Sequence, residues 1–195
     1  MGTRETILAA AAELLARHGA AGTSTRAVCD AAGVTAPTLY HHFGDKRGLL
    51  DAVVDDGFER YMADKRAAIL TTDDPVANLR RGWDAHVGFG LANPAAYAVM
   101  FAPSDDGLLP RAAMAAMAFL VELLTAVERA GRLAVDVDLA LQAAASAAHG
   151  LVALRTAWPQ APWREDLSAT MREAMIAALT VPPSAPTATD PKEDR

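Results

Sequence analysis

A single cysteine, Cys29, stands among the 195 residues, which excludes an intrachain disulfide and any cluster of thiolate ligands. A lone thiol fits a reducing compartment, so the cytoplasm is the expected location. The N-terminus has no basic-then-apolar stretch of the kind a secretory signal uses. The longest window free of Asp, Glu, Lys and Arg runs from Ala85 to Ser104, and it contains His86, Gly88, Gly90, Asn93 and Pro94. Polar and helix-breaking residues at that density argue against a membrane span. An excess of positive charge is missing too: the net charge is −6, which excludes a protein coated in nucleic-acid-binding charge. No internal repeat is visible, and no segment shows the period-two alternation of a strand.

Apolar residues, by contrast, reach 52% against 22% charged, enough for a buried core and too apolar for general disorder. The charge is unevenly placed. Residues 1–50 hold five Lys/Arg and four Asp/Glu, whereas residues 51–195 hold 13 and 20. An anionic partner would therefore be met by the N-terminal quarter.

Helix signals recur along the whole chain. Thr3 is placed to cap a first helix with Ile7, Leu8, Ala11, Leu14 and Leu15 on one face and Gly19 at its end. Ser24 caps a short second helix that ends at Gly33. Thr35 caps a third, with Pro37 in its first turn and Leu39 and Phe43 turned inward. Asp45 caps a longer fourth helix carrying Leu49, Leu50, Val53, Val54, Phe58, Tyr61 and Met62 at helical spacing. Asp74-Pro75 opens a fifth, and Asn93-Pro94 breaks it and starts a sixth. Pro103 to Gly107 reads as a loop. Further helices are expected from about Leu108 to Ala130, from Asp136 to Trp158, and from beyond Pro162 to about Leu179. The fold class is all-α with about nine helices. Residues 1–48 form a three-helix unit, residues 49–180 a larger helical unit, and residues 181–195, rich in Pro, Ser, Thr and charge, a disordered tail.

Two short helices joined by Gly33-Val34-Thr35 have the size and turn chemistry of a helix-turn-helix. The third helix turns Thr35, Thr38, Tyr40, His41 and His42 outward, side chains suited to groove and phosphate contact. Lys46, at the start of the fourth helix, is placed to hold a phosphate together with the backbone amides there. The adjacent His41 and His42 point about 100° apart on a helix and no third ligand follows, so a metal site is not expected.

The run from Thr25-Arg26-Ala27-Val28 through Ala32-Gly33-Val34-Thr35-Ala36-Pro37-Thr38-Leu39-Tyr40-His41-His42-Phe43-Gly44-Asp45-Lys46-Arg47-Gly48-Leu49-Leu50 resembles the DNA-binding segment of the tetracycline-repressor (TetR) family. The resemblance covers residues 3–50 closely and the remainder only in the number and lengths of helices. It implies a homodimeric repressor of a double-stranded DNA operator, loosened by a small molecule bound in the C-terminal part. It also implies base contacts from Pro37, Thr38 and His41, phosphate contacts from Tyr40 and Lys46, backbone contact from Thr25, and a guanine contact from Arg26. Position 36 is Ala, where some members carry a polar base-reading residue. Thymine methyls and DNA shape would then take a larger share of recognition.

Residues falling on the helices that enclose the family's pocket are Trp83, His86, Phe89, Tyr97, Met100, Phe101, Met114 and Met117. The aromatic and Met character of this set implies a small apolar effector, with plain core as the alternative reading of the same residues. The family pairs its last two helices across a two-fold axis, which places Ala147, Leu151, Leu154, Trp158, Leu167, Met171 and Met175 at a dimer interface. No catalytic residue, cofactor or metal is expected, because no nucleophile–base spacing, metal motif or phosphate-binding glycine loop is present. The competing reading is a helical small-molecule-binding protein without sequence-specific DNA binding.

Overall fold

The computed structural model describes residues 2–102, 107 and 109–182, without the side chains at 60, 63–65 and 67. The expected loop at Pro103 to Gly107 and the expected tail over 181–195 therefore fall, except for Gly107, Val181 and Pro182, outside the described residues. Nine helices are present among the described residues: α1 (Thr3–Gly22), α2 (Thr25–Ala32), α3 (Ala36–Phe43), α4 (Lys46–Ile69), α5 (Pro75–Ala92), α6 (Pro94–Met100), α7 (Arg111–Arg129), α8 (Val137–Ala157) and α9 (Leu167–Leu179). The only β pairing described is an isolated bridge between Leu133 and Thr180. The chain is all-α.

Local chemistry accounts for most boundaries. Ser24, Asp45, Asp74 and Asp136 each accept a hydrogen bond from a first-turn amide, those of Ala27, Gly48, Val76 and Leu139, so side chains satisfy donors that the helix leaves open. Two expectations shift. The cap of α1 is Gly2 rather than Thr3, because the Glu5 carboxylate reaches back 2.9 Å to the Gly2 amide. Gly19 kinks α1 rather than ending it, and the helix resumes to Gly22. Thr35 does stand at the cap of α3, but its hydroxyl meets the Thr38 hydroxyl at 2.9 Å instead of a backbone amide.

Two apolar cores lie end to end. One joins Ile7, Leu15, Val28 and Leu39 to the first half of α4 (Leu49, Leu50, Val53, Val54, Phe58), and also takes in Val99 and Met100 of α6 and Ala112 and Ala113 of α7. The other is built by α5, α7, α8 and α9 around Leu79, Trp83, Leu124, Val127, Val152 and Ile176. Helix α4 contributes to the first and reaches the second through Ile69 and Met62. Polar ties fix it in place. The Arg47 guanidinium holds Asp51 one turn on at 2.8 Å and donates 2.6 Å to the Ala102 carbonyl, just past α6. Asp55 accepts from the Ala112 amide at 2.8 Å and so caps the start of α7. Burial raises the Asp55 carboxyl above its ordinary range, against the pull of that amide and of Arg111.

Helix α8 is long and apolar enough to cross a bilayer by length and composition, which the sequence reading did not anticipate. Here it packs Ala140, Ala144, Ala148, Leu151 and Val152 into the second core.

The approach of α3 to α4 is tight at one residue. A Cβ added to Gly48 would lie 2.2 Å from the Phe43 carbonyl oxygen, a backbone atom that cannot rotate away. Gly48→Ala should therefore cost about 1–3 kcal/mol, as overpacking typically does. The urea midpoint should fall with little change in slope. An unaltered midpoint would contradict the close approach.

Candidate DNA-binding face and effector cavity

The α2–α3 unit is set by its turn. Gly33 sits at φ 66°, ψ 34°, a left-handed conformation that Gly adopts without a Cβ penalty, and the Gly33 and Val34 amides both return to the Cys29 carbonyl. Val28, Cys29 and Leu39 are buried beneath it. Arg26, Thr35, Pro37, Tyr40 and His41 are exposed on the opposite side, with Thr25 and Thr38 half-buried beside them. The Thr25 and Tyr40 hydroxyls stand 3.4 Å apart, so α2 and α3 present them together. Lys46 is half-buried and is tied inward: its ammonium donates 2.9 Å to the Ala20 carbonyl just past the kink in α1. Of the eight residues assigned to DNA contact, five are exposed and Thr25, Thr38 and Lys46 are half-buried. Among the described residues no three His, Cys, Asp or Glu side chains gather as a metal site.

An apolar cavity of about 70 Å³ lies between α4, α5, α7 and α8, with Met175 of α9 on its wall. Trp83, His86, Phe89 and Met117 line it, as expected from the sequence. The other four assignments are corrected. Tyr97 and Phe101 pack against the His86 ring, with centres 5.5 and 5.9 Å away, and are not on the wall. Met100 is fully buried in the first core, and Met114 is 60% exposed on the outside of α7. Three methionines on α6 and α7 thus serve three different surroundings.

Sequence reasoning missed the walls contributed by α4 (Phe58, Tyr61, Met62) and by α8 (Ala144, Ala145, Ala148). The alanines were legible as small residues at helical spacing, but here their shortness makes room for a void as well as for a neighbouring helix. Tyr61 donates 2.6 Å to the Ala85 carbonyl and packs on Phe89, ring centres 4.8 Å apart, joining α4 to α5. The Trp83 indole donates 3.1 Å to the Ser168 hydroxyl and fixes α9 against the wall.

The residues assigned to a dimer interface divide in two. Leu151 and Met175 belong to the protomer's own second core, because their faces of α8 and α9 turn towards α5 and α7; the interface assignment fails for both. Leu154 and Trp158 are 47% and 61% exposed, and Ala147, Leu167 and Met171 are half-buried at the margin.

His86 is the electrostatic feature of the cavity. Its Nε2 lies 2.9 Å from the Tyr97 hydroxyl, and burial, helped by His149, lowers its pKa from 6.5 to about 4. Burial also pushes the Tyr97 phenol well above its usual value. A histidine depressed in this way adds stability that is fully present above pH 6.5 and is lost as the pH falls from there towards 4. The span of about 2.5 pH units corresponds to roughly 3 kcal/mol. Urea unfolding at pH 7 and pH 4 should therefore lose about that much less stability in His86→Phe than in the wild type. Equal losses in the two proteins would contradict a neutral, buried His86.

Against known proteins, residues 7–53 match the family model described as bacterial regulatory proteins, tetR family, and residues 79–179 match the tetracyclin repressor-like C-terminal domain. The transcriptional regulatory protein RaaS of Mycobacterium tuberculosis is 44% identical over 67 residues, 34% of this chain and 31% of that protein. The chain thus matches about a third of the length of such curated relatives. A protein of unknown function from Rhodococcus sp. RHA1 superposes with a TM-score of 0.76 at 26% identity, covering 93% of this chain and 97% of that one. The transcriptional regulator FadR of Bacillus subtilis, solved in complex with stearoyl-CoA, shares the fold with a TM-score of 0.73 at 18% identity, covering 89% and 97%.

Proposed function

Since the chain belongs to the tetR family of bacterial regulatory proteins, we propose that it is a cytoplasmic repressor that binds a palindromic DNA operator as a homodimer and is released by a small apolar molecule. Relatives in this family are transcription regulators, not enzymes. The observation that carries the reading is α4: its first turns pack in the core beneath α2 and α3, and its later turns wall the apolar cavity.

On DNA, the paired Thr25 and Tyr40 hydroxyls meet phosphate oxygens, and Arg26, Pro37, Thr38 and His41 face base edges, with Thr35 at the groove's rim. Lys46 spends one ammonium hydrogen on Ala20 and keeps two for a phosphate. One short helix reads too few bases to select a genomic site, so two copies act across a two-fold axis on half-sites about one helical turn apart. The exposed Leu154 and Trp158, with Ala147, Leu167 and Met171 beside them, supply the joining surface.

The cavity, at about 70 Å³, is roughly half the ~150 Å³ void known to hold benzene, so a larger effector must move its walls. Met62, Met117 and Met175 yield first, being unbranched and flexible. Displacement of α4 then respaces the two recognition helices. An effector that prefers the respaced state a hundredfold supplies about 2.7 kcal/mol, enough to lower operator occupancy.

The test is fluorescence anisotropy with duplexes from the DNA upstream of the gene. Tyr40→Ala should weaken operator and random duplex by similar factors, because phosphate contacts carry no sequence information. Arg26→Ala should cost about 1–3 kcal/mol on the operator alone. Absence of any preferred duplex would leave the helical small-molecule binder as the better reading. In sedimentation, Leu154→Glu should run as a monomer and should lose operator binding with it. A monomer that still binds the palindrome tightly would overturn the dimer.

A further inference from the structure

We propose that His86 is the polar anchor of the cavity, donating a hydrogen bond from Nδ1–H to a single uncharged acceptor oxygen, such as a ketone, ester or lactone carbonyl, on an otherwise apolar effector. The inference rests on the cavity being the effector site and adds the chemistry of the molecule that fills it.

Among the described residues, three on the cavity wall bear a side-chain nitrogen or oxygen: Tyr61, Trp83 and His86. The first two have committed their hydrogens, Tyr61 to the Ala85 carbonyl and Trp83 to the Ser168 hydroxyl. His86 has used Nε2 on Tyr97, and its Nδ1 has no partner among the described residues. No side-chain polar atom among the described residues is both sealed from solvent and unpartnered, so Nδ1 is reachable, and it belongs to a ring that lines the void.

The tautomer follows from Tyr97. This residue is 4% exposed, and among the described residues the only hydrogen-bond partner of its hydroxyl is His86 Nε2. If Nε2 carried the hydrogen, the phenol hydrogen would be buried without an acceptor, the costlier way to leave a polar group. The phenol therefore donates, Nε2 accepts, and the neutral ring carries its hydrogen on Nδ1. Tyr97 is held in place for this by the ring of His149, stacked on it at 5.6 Å, and by Phe101 at 4.6 Å. Burial and the field of His149 both oppose a second proton on His86.

Charge selects against anions. Among the described residues no Lys or Arg lines the cavity, so a carboxylate placed there would find no counter-ion among them. A hydrocarbon would fit the walls but leave Nδ1–H unpaired. An apolar body with one carbonyl satisfies every group present.

The experiment uses the full chain and three matched probes: cyclohexanone, methylenecyclohexane and cyclohexanecarboxylate. Binding is read from the Trp83 indole N–H resonance, and the His86 tautomer from long-range ¹H–¹⁵N correlation of the imidazole. The wild type should hold His86 as Nδ1–H and bind cyclohexanone about tenfold more tightly than methylenecyclohexane, the worth of one added hydrogen bond. In His86→Phe the ratio should fall to about one. Tyr97→Phe is the second variant: freed from its donor, His86 should lose the Nδ1–H preference and the ratio should shrink. Equal binding of the two neutral probes, a ratio that survives in His86→Phe, a tighter carboxylate or an Nε2–H tautomer would each overturn the anchor while leaving the cavity as a ligand site. If no probe moves the Trp83 resonance, the effector reading itself falls, and the anchor with it.

Discussion

One helix is shared by two cores, and the arrangement of the rest follows from that. Helix α4 buries Leu49, Leu50, Val53 and Val54 beneath α1–α3, then Phe58, Tyr61 and Met62 against the cavity wall. A packed interior does not deform smoothly, so a helix with both ends embedded moves as a rod or not at all. Its ties to Ala102 and Ala112 matter for the same reason. They join the rod to α6 and α7, so a rearrangement near the cavity has backbone to push against and is not absorbed by side chains.

Helix α9 is held by a different kind of contact. Arg172 reaches Asp84 at 2.6 Å and Glu173 at 2.9 Å, and Arg80 pairs with Glu173 at 2.9 Å, all on the outside of α5. Exposed pairs of this kind contribute little stability each. What they fix is direction: they set the rotation of α9 about its axis, so that Met175, Ile176 and Leu179 point inward while Met171 stays at the margin.

Much of this was legible in the sequence wherever the cause is short-ranged. Ser24, Gly33, Asp45, Asp74 and the Asn93-Pro94 step act within a turn of themselves, and each marks a boundary close to where the helix begins or ends. The solvent-facing side of α2 and α3 was legible for the same reason, since Val28 and Leu39 are buried beneath it. The cavity was not, because its walls depend on how helices distant in sequence rotate against each other. Met100, Met114 and Met117 look alike in sequence; packing alone sends one to the first core, one to solvent and one to the void. Leu151 and Met175 failed likewise: apolar periodicity says that a helix has a buried face, but not whether its own chain or a second copy covers it.

The alanine wall of α8 has an evolutionary consequence. Ala144, Ala145 and Ala148 present single methyl groups to the void from a helix that packs chiefly on α5, α7 and α9. Enlarging any one of them subtracts a fixed parcel of space, and returning to Ala restores it, with the recognition surface untouched. In the proposed regulator, the shape of the accepted molecule can therefore drift by single substitutions while the DNA sequence being read stays constant. A lineage built on this frame can change what it senses without first losing what it controls.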